Sequence, residues 1–233
     1  MQSNARGRRD SRQNKAGFGF ADFLVVLAAL SIIAAIAVSV VFRNGSQARQ
    51  AQCLSNLNQV NRAVLLYTEE NQGTFPVLPE KNQEPVWWFY KELVKGHAGL
   101  TDKSSANDKV FACPDDRGYT DPIPFWKNAR FDFTSYVFNG VTLPGVPNLT
   151  GKQLSNVKEP SRTLLTMEWT AHAPLSWHNS RTGKKNAPFY NNAESMVGFV
   201  DGSVKFIPIY CDGIDAAFTR DPIPGYDYRW SAE

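Results

Sequence analysis

Three cysteines and three histidines are all that the 233 residues carry. There is no Cys-x-x-Cys pair, and no two histidines stand at zinc-ligand spacing within a helix. No metal and no cofactor is therefore expected. A nucleophile-elbow motif is also missing. A Ser-His-Asp set would have to meet in space, so no catalytic residue is expected and the chain does not read as an enzyme. Basic patches are absent too. The sequence pI of 8.7 comes from residues 1–22, which hold five bases against two acids. The whole chain is +3, as is that leader, so residues 43–233 balance 20 bases against 20 acids. Nucleic acid is not an expected partner.

Long apolar runs are scarce as well: there is one. From Phe23 to Phe42, 20 residues pass without a charge, Gly or Pro. As a helix the run would span roughly 30 Å, the thickness of a bilayer core. A transmembrane segment is expected at 23–42. Arg6, Arg8, Arg9, Arg12 and Lys15 precede it, which places the amino end in the cytoplasm and the residues after Phe42 outside. An ordinary secretory signal cut after Ala37 would also fit a basic leader and an apolar core, but it leaves Gly17-Phe18 and Asp22 without a role.

The order Gly17, Phe18, three residues, Asp22, then the apolar run resembles the prepilin family, the type IV pilins and the pseudopilins of type II secretion. The resemblance implies cleavage between Gly17 and Phe18 by a prepilin peptidase/methylase and N-methylation of Phe18. It implies that the apolar helix is kept and becomes the core of a filament of pilin-like subunits, raised from an inner-membrane assembly platform. Cleavage would create an ammonium one helical turn before Asp22. A carboxylate near the start of a bilayer helix wants a partner, and a neighbouring copy's ammonium would supply it. The plain alternative is an acid favourable at a helix's positive end, worth about 0.5 kcal/mol. Two departures stand out: Asp22 is one methylene shorter than the family's Glu, and Ser39 stands where many members carry Pro.

Beyond Gly45, Leu54, Leu57, Val60, Val64 and Tyr67 recur at helical steps, with Asn56, Asn58, Asn61 and Arg62 opposite. One long helix is expected at 18–73, stopping near Gly73. The segment resembles one prepilin-like subgroup, which has Cys-x-x-Asn-Leu after the span and a later His-x9-Asp-Gly. Cys53–Leu57 matches the first part. "FACPDD" at Phe111–Asp116, "TSYVFNG" at Thr134–Gly140, "EPSRTLLTMEW" at Glu159–Trp169 and "GFVDGSVKF" at Gly198–Phe206 come next in that order. The subgroup's His is missing, and Asn191 occupies its place.

Residues 74–233 are long enough for one extracytoplasmic head. Asp201-Gly202 between alternating residues signals a two-residue hairpin turn, which would put Val197, Phe199, Val204 and Phe206 on the core face. Strands are expected at Ser135–Phe138 and Thr163–Glu168, and a short helix at Trp87–Gly96. Outside the cytoplasm disulfides persist. Cys53–Cys113 would staple head to helix, Cys113–Cys211 is the rival pair, and three thiols the remaining case. His178 reads as part of an exposed polar loop, and Asp115, Asp116 and Asp121 as a solvated acidic turn or a calcium site. Trp87, Trp88, Phe89, Tyr90, Trp126, Trp177 and Trp230 are core residues or a sugar-stacking platform.

The expected fold is therefore α+β and pilin-like: a leader at 1–17, a long N-terminal helix at 18–73 with a transmembrane half and an amphipathic half, and an antiparallel sheet head. The expected protein is a single-pass inner-membrane subunit with its head in the periplasm or outside, touching membrane lipid and other subunits. A monomeric membrane-anchored module binding a glycan or envelope component is the alternative.

Overall fold

The computed structural model describes residues 20–78, 87–118, 123–141, 143–172, 176–180, 193–210 and 221–233. Gly17, Phe18, Asn191, Cys211 and Asp121 lie outside them, as do the side chains of Asp22 and Ser39. The helices are α1 (Phe20–Glu70) and α2 (Tyr90–Val94). The strands are β1 (Tyr136–Phe138), β2 (Leu164–Glu168), β3 (Asn179–Ser180), β4 (Ala193–Phe199) and β5 (Val204–Ile209). The chain falls into two units, 1–45 and 46–233.

The expected transmembrane half of a pilin-like fold is overturned. Among the described residues no helix is long and apolar enough to cross a membrane. The apolar side chains described run from Phe23 to Ala34. Twelve residues rise only about 18 Å, against the roughly 30 Å of a bilayer core. Within unit 1 these side chains are exposed, among them Phe23, Leu24, Val25, Val26 and Leu27 in succession. Consecutive positions lie 100° apart, so the apolar surface surrounds the helix rather than striping it. What stands is an α+β chain in which residues 46–70 of α1 pack on an antiparallel sheet.

In unit 2 the sheet is built on β4. β2 and β5 pair with opposite edges of it, and β3 shares the β2 edge further along, at Glu194 and Ala193. β1 extends the sheet beyond β2, and every pair is antiparallel. Both faces are buried. On one, Cys53, Leu57, Val60 and Val64 of α1 meet Tyr136, Phe138, Leu165 and Met196. On the other, Val137, Leu164, Met167, Val197 and Phe199 pack with Tyr228 and Trp230 of the C-terminal segment. In β2 the step from Leu164 to Thr166 faces the single step from Phe199 to Gly198. Leu165 is the extra residue of a bulge.

The hairpin differs from the two-residue expectation. Gly198 pairs with Val204, Val197 with Lys205 and Met196 with Phe206, so the loop has three residues, Val200-Asp201-Gly202. The Gly202 N–H donates to Phe199 O (3.0 Å), and Gly202 sits at φ +88°. This is a tight turn closed by a left-handed glycine. One added residue reverses half of the expected facing. Val204 and Phe206 join Met196 against α1, whereas Val197 and Phe199 lie on the opposite face.

The polar side of α1 is also not as expected. Asn56 and Asn61 are buried. Asn56 Nδ2 donates to Lys109 O (2.9 Å) and Ala112 O (2.7 Å). Asn61 Nδ2 donates to Phe199 O (3.0 Å), while its Oδ1 accepts from Thr166 Oγ1 (2.7 Å). Gly198 makes that approach possible. A Cβ there would overlap the Asn61 amide and lie 2.9 Å from Thr166 Oγ1.

Candidate functional site

Four separate segments converge on the helix-facing side of the sheet. α1 brings Arg49 and Cys53, the 111–118 segment brings Cys113, Asp115 and Asp116, the end of β2 brings Glu168, and the residue before β3 brings His178. Cys53 and Cys113 form a disulfide, with Cα atoms 4.6 Å apart. The Tyr136 hydroxyl donates to Cys53 O (2.9 Å), fixing the helix at the same level.

Beside the sulfurs lies a line of charges. His178 Nδ1 is 3.0 Å from Asp115 Oδ2, and His178 Nε2 is 2.8 Å from Glu168 Oε1. A carboxylate at each ring nitrogen requires a proton on both, so the ring is an imidazolium donating in two directions. Asp115 Oδ1 accepts from Arg49 Nε (2.6 Å), and Glu168 Oε2 accepts from the Met196 N–H (3.0 Å). Two cations thus face two carboxylates. His178, Asp115 and Glu168 are buried; Arg49, the outermost member, is half exposed.

Burial alone would push the His178 pKa down. Glu168 and Asp115 outweigh burial and raise it to about 9. Burial would likewise raise Asp115, but His178 and Arg49 hold it below its ordinary range. Asp116 behaves differently. Its carboxyl accepts from the Gly118 N–H (2.8 Å) and the Ser135 hydroxyl (2.7 Å), and no cation reaches it among the described residues. Burial wins there and pushes it up to about 7. Ser135 Oγ in turn accepts from the Cys113 N–H (3.0 Å), tying the acid to the disulfide's backbone.

The exposed loop and the solvated acidic turn expected from the sequence are therefore a buried ion cluster. Cys53 Sγ, Cys113 Sγ, Glu168 and His178 place one ligand atom each within 4.8 Å of the others. Spacing gave no hint of this, because strand pairing and a loop assemble the group. Two signals were nevertheless present: Glu168 is the one charge in the strand run "LLTME", and His178 comes directly after Trp177 rather than after a polar residue.

The other expected features lie apart. Asp201 caps the hairpin by accepting from the Ser203 N–H (2.9 Å). Tyr90, Trp177 and Trp230 are buried in two different cores, so the aromatic residues do not form one platform. His172 stacks on Trp87 at 4.4 Å, and burial pushes its pKa down to about 3. His97 packs on Tyr67 at the surface end of α1. A separate cleft of about 360 Å³ lies between β5 and the C-terminal segment, lined by Phe199, Lys205, Ile207, Tyr226, Asp227 and Tyr228.

Comparison with protein-family models, with curated proteins and with solved structures finds no match to this chain.

Proposed function

We propose that the chain is a structural, prepilin-like subunit of a pilus or secretion pseudopilus, with no catalytic role. A prepilin peptidase/methylase cuts after Gly17 and methylates Phe18. Copies then associate through the apolar residues that begin α1, and an inner-membrane assembly platform adds them to a filament. The observation that carries this reading is the ring of exposed apolar side chains from Phe20 to Ile33, a surface that water does not tolerate and that other copies would cover. The leader pattern Gly17-Phe18…Asp22 supports it from the sequence. The disulfide and the ion cluster support it as well. They bind α1 to the 111–118 segment of the head by a covalent bond and by an ion pair, so the helix and the head are held as one piece. Disulfides persist outside the cytoplasm, where the head of such a subunit resides.

The test is the intact mass of the protein extracted from its native host. Loss of residues 1–17 with the gain of one methyl is the expected result. A mature chain beginning anywhere but Phe18 sinks the proposal. Replacing Asp22 by Ala is expected to abolish incorporation into filaments, and unchanged incorporation removes the pairing role given to that acid. The cleft beside β5 favours a second reading, a monomeric module holding an envelope component between Tyr226, Tyr228 and Lys205. An uncleaved, monomeric chain that retains a glycan on an array would support that reading instead.

A further inference from the structure

The sulfurs, the imidazole and the carboxylate gathered beneath α1 are more than a buried salt bridge. Two thiolates, one imidazole and one carboxylate make a tetrahedral ligand set suited to zinc. Zinc bonds of about 2.3 Å to sulfur and 2.0–2.1 Å to nitrogen put those two atoms roughly 3.5 Å apart in a tetrahedron. Cys113 Sγ and His178 Nε2 are 3.8 Å apart, with Glu168 Oε1 2.8 Å from the same nitrogen. The far side of the ring is already dressed for the role. Asp115 holds Nδ1 at 3.0 Å, the carboxylate–histidine arrangement that fixes the tautomer and turns Nε2 toward a metal. Arg49 in turn holds Asp115. With the disulfide closed, the sulfurs bond each other and Nε2 spends its proton on Glu168.

We propose that, when the Cys53–Cys113 disulfide is reduced, this cluster binds one zinc ion through both sulfurs, His178 Nε2 and Glu168 Oε1. Disulfide and metal are alternative closures of one joint between α1 and the 111–118 segment, to which the metal would add Glu168 of β2. A dithiol supplies two electrons and two protons to the sulfur pair and leaves as its cyclic disulfide. Zinc then displaces the two thiol protons and the Nε2 proton, while Nδ1–H stays on Asp115. A disulfide oxidant reverses the exchange: it takes two electrons from the thiolates and leaves as its dithiol, the Cys53–Cys113 bond re-forms, the ion is released and Nε2 takes up a proton again. The exchange is independent of filament assembly.

Cobalt(II) reports the site directly. The full chain is reduced with a dithiol, freed of it without air, and titrated with Co²⁺. The expected result is a thiolate-to-cobalt band with the intense visible bands of a tetrahedral ion, saturating at one equivalent and erased by Zn²⁺. The oxidised chain shows none. Asp115→Asn weakens binding about 10- to 100-fold, and His178→Ala more. X-ray absorption of the zinc-loaded wild-type chain gives two sulfur and two nitrogen or oxygen neighbours, a readout that needs no variant to fold. Absence of the thiolate band in the reduced wild type overturns the proposal. So does a third sulfur neighbour, which Cys211 would supply, or an affinity unmoved by both Asp115→Asn and His178→Ala.

Discussion

At the scale of single residues, the buried polar groups carry the sharpest consequences. In an unfolded chain His178 gives up its proton near 6.5; in the folded head it keeps it to about 9. The folded state holds the extra proton across that window, so its stabilisation is complete below 6.5 and is lost as pH rises through 9. The gap corresponds to roughly 3 kcal/mol. Asp116, raised to about 7, weakens the fold over a lower window, from its ordinary 3.8 up to 7. The two contributions are therefore separable by pH. Urea unfolding between pH 7 and 9.5 is expected to show falling stability in the wild type. His178→Gln is expected to be less stable at pH 7, because it leaves the buried Glu168 carboxylate without its cation and Asp115 with Arg49 alone, and flat above it. Parallel slopes in the two proteins would assign the loss to another group. Asn61 offers a second case. Asn61→Ala strips Phe199 O and Thr166 Oγ1 of their buried partner and is expected to cost about 1–3 kcal/mol. Gly198→Ala forces a methyl onto the same amide and is expected to cost about 1–3 kcal/mol. The double variant removes the clash with that amide and keeps only the 2.9 Å approach to Thr166 Oγ1, so its cost should fall short of the sum. Full additivity would mean the two residues do not meet.

At the scale of elements, what the sequence made legible was local and what it hid was pairing. The stripe Leu57, Val60, Val64 is buried because helical periodicity needs no knowledge of the partner. The strands at 136–138 and 164–168 fall within the runs that mark them. The turn at Asp201-Gly202 was visible as well, but its length was not. Val200 serves as a loop residue, and a valine gives no signal of leaving a strand. Asn56 and Asn61 looked like solvent-facing residues because their partners are backbone carbonyls, which have no sequence signature. The ion cluster was hidden for the same reason. His178 and Glu168 are ten residues apart, yet each needs Asp115 or Cys53, more than fifty residues away, to acquire a purpose. The transmembrane half was inferred from composition over 20 residues, whereas the described side chains support only the stretch 23–34. The three-residue hairpin makes its own prediction. A Cβ at Gly202 meets only Leu65 Cδ1, at 3.6 Å, so the space is adequate and only φ resists. Gly202→Ala is expected to destabilise the head by about 1–2 kcal/mol, measured by urea unfolding. Gly202→Asn should cost less, since asparagine visits this region more readily. Equal costs would point to packing rather than backbone conformation.

At the scale of the whole molecule, the two units pose opposite solvation problems. Residues 46–233 bury both faces of their sheet and close the helix joint with a disulfide. Of the side chains described between Phe20 and Ala34 none is buried: Phe20 is 77% exposed, and Ile32 and Ile33 are each 62% exposed. A fully buried side chain of this kind contributes about 1.5–3 kcal/mol. A partner helix covers an apolar stripe roughly 100° wide, about a quarter of the circumference. For the nine large apolar residues described, Phe20, Phe23 to Leu27, Leu30, Ile32 and Ile33, that quarter gives roughly 3–7 kcal/mol. Association itself costs roughly 4–15 kcal/mol. A dimer is thus marginal, whereas a copy surrounded by several neighbours recovers the whole term for one further loss of freedom. Self-association should therefore skip the dimer. In sedimentation velocity, detergent is diluted away from the chain beginning at Phe18. The expected distribution is monomer and large assemblies, with little between. A chain beginning at Ser46 is expected to stay monomeric at every concentration and to unfold at an unchanged urea midpoint, because no part of its core is removed. A stable dimer of the longer chain would limit the apolar surface to one face. Assembly of the shorter chain would move the contact onto the head, and the role given to the N-terminal residues would be lost.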